Sequence, residues 1–245
     1  MIVVPTAIWA HYAGDAAAWL SAGAMARWQF RQWPAQGRSL SVQSEPSYFL
    51  TLACCAVIGA WAVGSLNLSS SGHIIPSHSI AGALIGGIFG VEAWKWRHGV
   101  RQSTGGAFVA PLCVGIIIGR LGCLFSGLPD QTNGTPTRLP WAVDLGDGIG
   151  RHPAQIYESL SMAIFLLIYL AALRAGRPWA RHHAFHAMIC VYAAQRFLWE
   201  FLKPYPPLIG PLNLFHLLMV GLFVYGIIWW DRGRADDEPS IAGAV

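Results

Sequence analysis

The sequence predicts an all-α polytopic membrane protein of about seven transmembrane helices with an extracytoplasmic loop region, and three observations carry that prediction. Of the 245 residues, 54% are hydrophobic and 11% charged, where a soluble domain carries roughly 25% charged residues; the mean hydropathy is +0.44. Apolar windows long enough to cross a bilayer, about 20 residues each, recur near 7–26, 47–66, 79–96, 106–126, 155–173, 183–203 and 211–230. The basic residues are segregated, and that segregation accounts for the net charge of +4 without nucleic acid as a partner.

The elements follow in order. The first window is the weakest, since Asp15 lies inside it and Ala and Gly dilute it. No basic residue precedes it, so a cleaved signal peptide is not expected. After windows one, three, five and seven come Arg27, Arg31 and Arg38; Lys95, Arg97 and Arg101; Arg174, Arg177 and Arg181; and Arg232 and Arg234, eleven of the sixteen basic residues. Short cytoplasmic loops collect Lys and Arg, so the amino terminus is expected outside and the carboxyl terminus inside. The whole chain, 1–245, reads as a single integral membrane domain, with 231–245 a polar cytoplasmic tail. The five cysteines form no C-x-x-C pattern and sit mostly in apolar runs, which predicts buried thiols rather than a metal or disulfide framework.

The remaining basic residues are Arg120, Arg138, Arg151, Arg196 and Lys203. Arg120 and Arg196 interrupt apolar runs, where a charge costs a few kcal/mol and faces a cavity or a partner rather than lipid. With the orientation above, His78, Arg120, the stretch GRHPAQIYE and the series Tyr192, Arg196, Glu200 all reach the outer half of the bilayer. Tyr192, Arg196 and Glu200 are four residues apart and share a helix stripe. Glu200 is the natural neutraliser of Arg196, while a planar guanidinium suits bidentate phosphate binding. Gly119 and Gly122 flank Arg120 and allow close approach of a helix or of a head group. His78 can move a proton near neutral pH, with Ala81, Gly82, Gly86 and Gly87 leaving room beside it; His73 is a weaker candidate. In GRHPAQIYE, Pro153 opens a helix, and His152, Gln155, Tyr157 and Glu158 line its entrance, in a structural network or in catalysis. The loop SGLPDQTNGTPTRLPWAVDLGDGIGRHP reads as ordered turns forming a lid or binding loop. Its DLGDG lacks the donor alternation of a Ca²⁺ loop, so no metal is expected there.

RHPAQIYE, GRLG, GTPTRLPWAVD and the Y-x-x-x-R-F-x-x-E-F pattern together resemble the phosphatidylglycerol–prolipoprotein diacylglyceryl transferases in order, in spacing and in the seven spans, over roughly residues 75–230. The resemblance implies an enzyme of the bacterial inner membrane. Its reaction moves the diacylglyceryl group of phosphatidylglycerol onto the lipobox cysteine thiol of a preprolipoprotein and releases glycerol 1-phosphate, without a cofactor or metal. It implies catalytic roles for His78, Arg120, Tyr192, Arg196 and His152, and substrate binding by Arg120, Arg196, Gly122, Gln155, Tyr157, Glu158 and Glu200. The implied partners are phosphatidylglycerol, surrounding membrane lipid and the lipobox segment or another acceptor. The chain departs from the family pattern in three places. It reads His78-Ser79-Ile80-Ala81-Gly82 where members carry His-Gly-Gly, has Cys123 where many have Asn, and lacks an arginine near the end of span two. Two further readings stay open: a transferase of the same fold with a different acceptor, and a non-catalytic phospholipid-binding or transport protein. An ion-coupled transporter fits less well, because the polar residues cluster at one face instead of forming a relay across the membrane.

Overall fold

The computed structural model describes residues 1–34, 45–69 and 76–237, with the side chains of 68, 69 and 231–237 left aside. His73 and the end of the carboxyl-terminal tail lie outside the described residues. Among the described residues the chain is all-α apart from three two-residue strands. The helices are α1 (Trp9–Gln32), α2 (Pro46–Ser69), α3 (Ile80–Arg97), α4 (Val109–Ser126), α5 (Ala154–Arg174), the short α6 (Pro178–His182), α7 (Ala184–Glu200) and α8 (Leu214–Asp237). Each of the seven apolar windows falls on one long helix. Among the described residues three stretches, Pro46–Asn67, Gly105–Ser126 and Ala154–Arg174, are long and apolar enough to cross a membrane, and Leu214–Trp230 is a shorter apolar helix.

The apolar pattern is inverted relative to a soluble bundle. On α5, Leu160, Ile164, Leu167 and Ile168 are exposed along one face, at the i, i+4, i+7, i+8 spacing of a helix stripe. The opposite face carries Gln155, Glu158, Ser159 and Met162, all buried. In lipid an exposed leucine costs nothing, so the inner face is free to carry polar groups provided they are paired.

Packing runs α1 on α4, α4 on α5, α5 on α7 and α7 on α8, with α2 and α3 forming a separate tight pair. Where helices gain little from the hydrophobic effect, small residues let backbones approach. A side-chain carbon at Gly14 would come within 2.5 Å of the Gly122 Cα, and one at Gly59 would strike the Gly82 carbonyl. A carbon at Gly86 would strike the Cys55 carbonyl. Gly122 lies in the α1–α4 crossing, facing Gly14. One expectation is corrected here. The space expected beside His78 at Ala81, Gly82, Gly86 and Gly87 is filled by α2, because the seam is matched by glycine and cysteine on the facing helix. The thiols also differ from expectation: Cys113 is buried, but Cys54 is exposed and Cys55, Cys123 and Cys190 are half-buried. In a bilayer an apolar side chain need not enter the core.

The α4–α5 connection is ordered. β1 (Ile2–Val3) pairs in parallel with β2 (Val143–Asp144), and β2 pairs antiparallel with β3 (Gly150–Arg151). Val4, Leu124, Val143 and Leu145 form a small apolar core beneath this sheet. The chain leaves α4 through Gly127 at φ 76°, a conformation that glycine adopts without a Cβ clash. Thr135 N–H donates to the Leu202 carbonyl at 2.6 Å and the Tyr205 hydroxyl to the Gln131 carbonyl at 3.0 Å, so the loop is tied down over the end of α7.

DLGDG is a self-capped turn. Asp144 Oδ1 accepts N–H bonds from Gly146, Asp147 and Gly148 at 2.9, 3.1 and 3.0 Å. Positive φ at Gly146 and Gly148 turns those amides inward. Asp147 then holds Arg151 through two bonds of 2.6 and 2.7 Å, and the hydrogen bond from Arg151 lowers the Asp147 pKa to about 2. A lowered folded-state pKa contributes stability above the unfolded carboxylate value of about 3.9, lost as pH falls through the folded value. Thermal midpoints of wild type and Asp147→Asn are therefore expected to differ slightly above pH 4 and to converge toward pH 2. Scanning calorimetry across that range checks this; a gap that persists at pH 2 would assign the effect to something other than the ion pair.

Candidate active site

Glu158 is the centre of the polar interior. Alternation on α5 points Gln155, Glu158 and Ser159 inward, and Ser159 Oγ donates to the Ile117 carbonyl at 2.9 Å, locking α5 onto α4. Glu158 is fully buried and meets three cations: Arg120 Nε at 2.6 Å, Arg196 Nη1 at 2.6 Å and Lys203 Nζ at 2.7 Å. On α7 the stripe of Tyr192, Arg196 and Glu200 faces the same point. Arg196 Nη2 stands 3.0 Å from Glu200 Oε2, and Glu200 Oε1 accepts from Asn213 Nδ2 at 3.1 Å. The five charged residues are all less than a tenth exposed.

The charge balance matters more than any single pair. Three cations face two carboxylates in this cluster, which leaves one positive charge. An uncompensated charge at this depth is costly, and an anionic ligand would neutralise it.

The two arginines are not equivalent. Arg196 engages Glu158 through one terminal nitrogen and Glu200 through the other, and its guanidinium lies 5.2 Å from the Phe215 ring centroid. Arg120 meets Glu158 through Nε, and among the described residues no acceptor engages its two terminal nitrogens. That open end is the edge of the fork that grips a phosphate. The Tyr192 hydroxyl is fully buried, interacts electrostatically with both arginines and both glutamates, and has no hydrogen-bond partner among the described residues.

The other expected residues are placed differently. His78 is exposed and lies 3.2 Å from His11, Nε2 to Nε2, with the Trp61 ring alongside. His152 is half-buried, makes a backbone bond to Thr135 and stands edge-on to Tyr157, apart from the charged cluster. Tyr157 sits in an aromatic group. Its hydroxyl accepts from Trp141 Nε1 at 2.7 Å and its ring lies 5.0 Å from that of Trp199. One position before Glu158 on a helix points away from it, and the aromatic group so formed suits a membrane interface. Gln155 donates to Thr132 Oγ1 at 3.3 Å, joining the loop to α5.

Sequence reading missed Lys203 and Asn213 as members of the site. Lys203 continues the 192, 196, 200 stripe by three residues, so spacing carried a signal for it. Asn213 comes from the turn before α8 and had none.

These features define a membrane protein with a buried, net-positive cluster of charged side chains at one end of its helix bundle. The family model for prolipoprotein diacylglyceryl transferase matches residues 15–231, and the chain belongs to that family. It is 33% identical over 171 residues to a phosphatidylglycerol–prolipoprotein diacylglyceryl transferase of Solidesulfovibrio magneticus, covering 63% of this chain and 62% of the relative. It is 34% identical over 148 residues to the protein of that name from Bordetella parapertussis, covering 59% and 53%. A third, from Nitratidesulfovibrio vulgaris, is 31% identical over 174 residues, covering 66% and 63%. The matches thus span between half and two thirds of the length of these curated relatives.

Proposed function

We propose that this protein transfers the diacylglyceryl group of phosphatidylglycerol to the lipobox cysteine thiol of a preprolipoprotein and releases glycerol 1-phosphate. The reading is supported most directly by the buried cluster of Arg120, Arg196, Lys203, Glu158 and Glu200 with its one excess positive charge. The phosphodiester of phosphatidylglycerol carries one negative charge and completes the balance.

In the reaction the thiol sulfur attacks the glyceryl carbon that bears the phosphate oxygen. A C–S bond forms, the C–O bond breaks, and its electron pair leaves on the phosphate, raising the phosphate's negative charge. Arg120 receives the phosphate through its terminal nitrogens, and Tyr192, whose hydroxyl has no other described partner, donates to a phosphate oxygen. Donors already aimed at developing charge lower the barrier without reorganising. Arg196, held on two carboxylates, keeps the pocket positive and positions Glu158. His78 takes the thiol proton, since the thiolate is the competent nucleophile. The proposed setting is a bacterial inner membrane with the amino terminus outside and this end of the bundle facing the periplasm.

The test combines purified protein, phosphatidylglycerol and a lipobox peptide, following peptide mass and glycerol phosphate release. A diacylglyceryl increment on the peptide cysteine, absent in Arg120→Ala, is expected, as is modification of an impermeant external peptide by spheroplasts. Glycerol phosphate release without peptide modification would replace the acceptor. Neither signal, with an active family member run in parallel, would overturn the reading in favour of a non-catalytic lipid-binding protein.

A further inference from the structure

Beside the arginine cluster lies a second convergence of polar side chains that the transfer chemistry does not need. His11 is on the first turn of α1, Cys123 lies one turn beyond Arg120 on α4, and Asp130 ends the turn that follows α4. One ligand atom of each lies within 4.8 Å of the others. The Asp130 side chain is 7% exposed and that of His11 19%.

The geometry within this group is unusual for an ion pair. His11 Nδ1 stands 2.7 Å from Asp130 Oδ1, yet Nδ1 has no hydrogen bond of acceptable alignment among the described residues. The carboxylate oxygen stands at pairing distance, and the three donor atoms crowd one spot between α1, α4 and the turn after α4.

The surroundings of each donor fit the same reading. Asp130 Oδ2, the oxygen turned away from His11, accepts from Thr132 Oγ1 at 2.6 Å, and Thr132 accepts in turn from the buried Gln155. His11 Nε2, the far ring nitrogen, faces Asp15 Oδ2 at 3.4 Å and His78 at 3.2 Å. A ligating histidine usually gives its other N–H to a carboxylate or a similar acceptor, and a ligating carboxylate is itself hydrogen-bonded.

We infer that His11 Nδ1, Cys123 Sγ and Asp130 Oδ1 bind one divalent cation of the zinc class, leaving a fourth position open to water or a thiolate. One nitrogen, one sulfur and one oxygen donor select zinc over magnesium or calcium, which take oxygen alone. Three protein ligands are the number found at zinc sites that keep a position open. A thiolate and a carboxylate cancel the two charges of the ion, so the filled site is neutral. His11, Asp15 and His78 also lie within reach of one another, but half of the Asp15 side chain is exposed, His78 is exposed and no sulfur is present. That second group supports His11 from outside.

The site stands on its own geometry, and the far ring nitrogen of His11 faces His78, the base of the proposed transfer. Full-length protein purified in detergent without chelator would be assayed for bound zinc, then stripped and titrated with Co²⁺ while recording its absorption. One Co²⁺ per chain with a thiolate-to-metal charge-transfer band, displaced by Zn²⁺, is the expected result. Cys123→Ser should abolish that band. Asp130→Asn should weaken binding by at least ~10-fold, the lower end of what loss of an outer-shell partner alone costs. His78→Ala should retain the band, and an unchanged thermal midpoint for Cys123→Ser would show that folding is intact. No stoichiometric Co²⁺, or a band that survives Cys123→Ser, would overturn the assignment. A protein that transfers the lipid but takes up no Co²⁺ would sink the site alone, and a Co²⁺-binding but inactive protein would sink the proposed function alone.

Discussion

Glu158→Gln is expected to destabilise the protein by about 3–5 kcal/mol, the usual cost of removing one partner from a buried ion pair. Glu158 is fully buried and is shared by Arg120, Arg196 and Lys203, from α4, α7 and the turn beyond α7. Glutamine keeps the shape and can still accept, but it leaves three buried cations against Glu200 alone. Repulsion then acts on the elements that meet there. Thermal unfolding in detergent measures the effect, and a double variant that also replaces Lys203 by Met should recover part of the loss, since neighbouring sites in one network do not add independently. A wild-type midpoint for Glu158→Gln would mean that water or a lipid phosphate already screens the cations.

Arg120→Lys is expected to lower turnover by about 10²–10³-fold with folding intact, the range seen when one preorganised donor to developing charge is removed. Lysine preserves the positive charge but not the geometry. Arg120 faces Glu158 through Nε at 2.6 Å and has two terminal nitrogens without a described acceptor. A single ammonium must choose between the carboxylate and the phosphate. Turnover measured with saturating phosphatidylglycerol, beside a thermal midpoint close to wild type, separates this from structural damage. Wild-type turnover would remove Arg120 from phosphate binding and leave it as a counterion of Glu158.

The contrast between Arg120 and Arg196 marks the limit of reading the site from sequence. Both stand out as charges in apolar runs, and the four-residue spacing already pairs Arg196 with Glu200. Nothing in the order of residues says that Arg196 spends both terminal nitrogens on carboxylates while Arg120 does not. Glu158 was visible only as one polar group at a helix entrance; its central place depends on α4, α5 and α7 meeting. Gly122 illustrates the reverse. A glycine beside an arginine suggests room for a head group, but the facing residue is Gly14, more than one hundred positions away.

By itself the sequence determined that the chain is a bundle of seven apolar helices with polar residues gathered at one end. Those features rest on local rules: window length against bilayer thickness, helical spacing and the cost of charge in hydrocarbon. Only the tertiary structure decided which charges neutralise one another, that α2 closes the space beside His78, and that His11, Cys123 and Asp130 converge. Each of these depends on helix crossings between segments distant in the chain. In a membrane such crossings are governed by small-residue contact and polar pairing rather than by a periodic apolar stripe, so a one-dimensional pattern holds little trace of them.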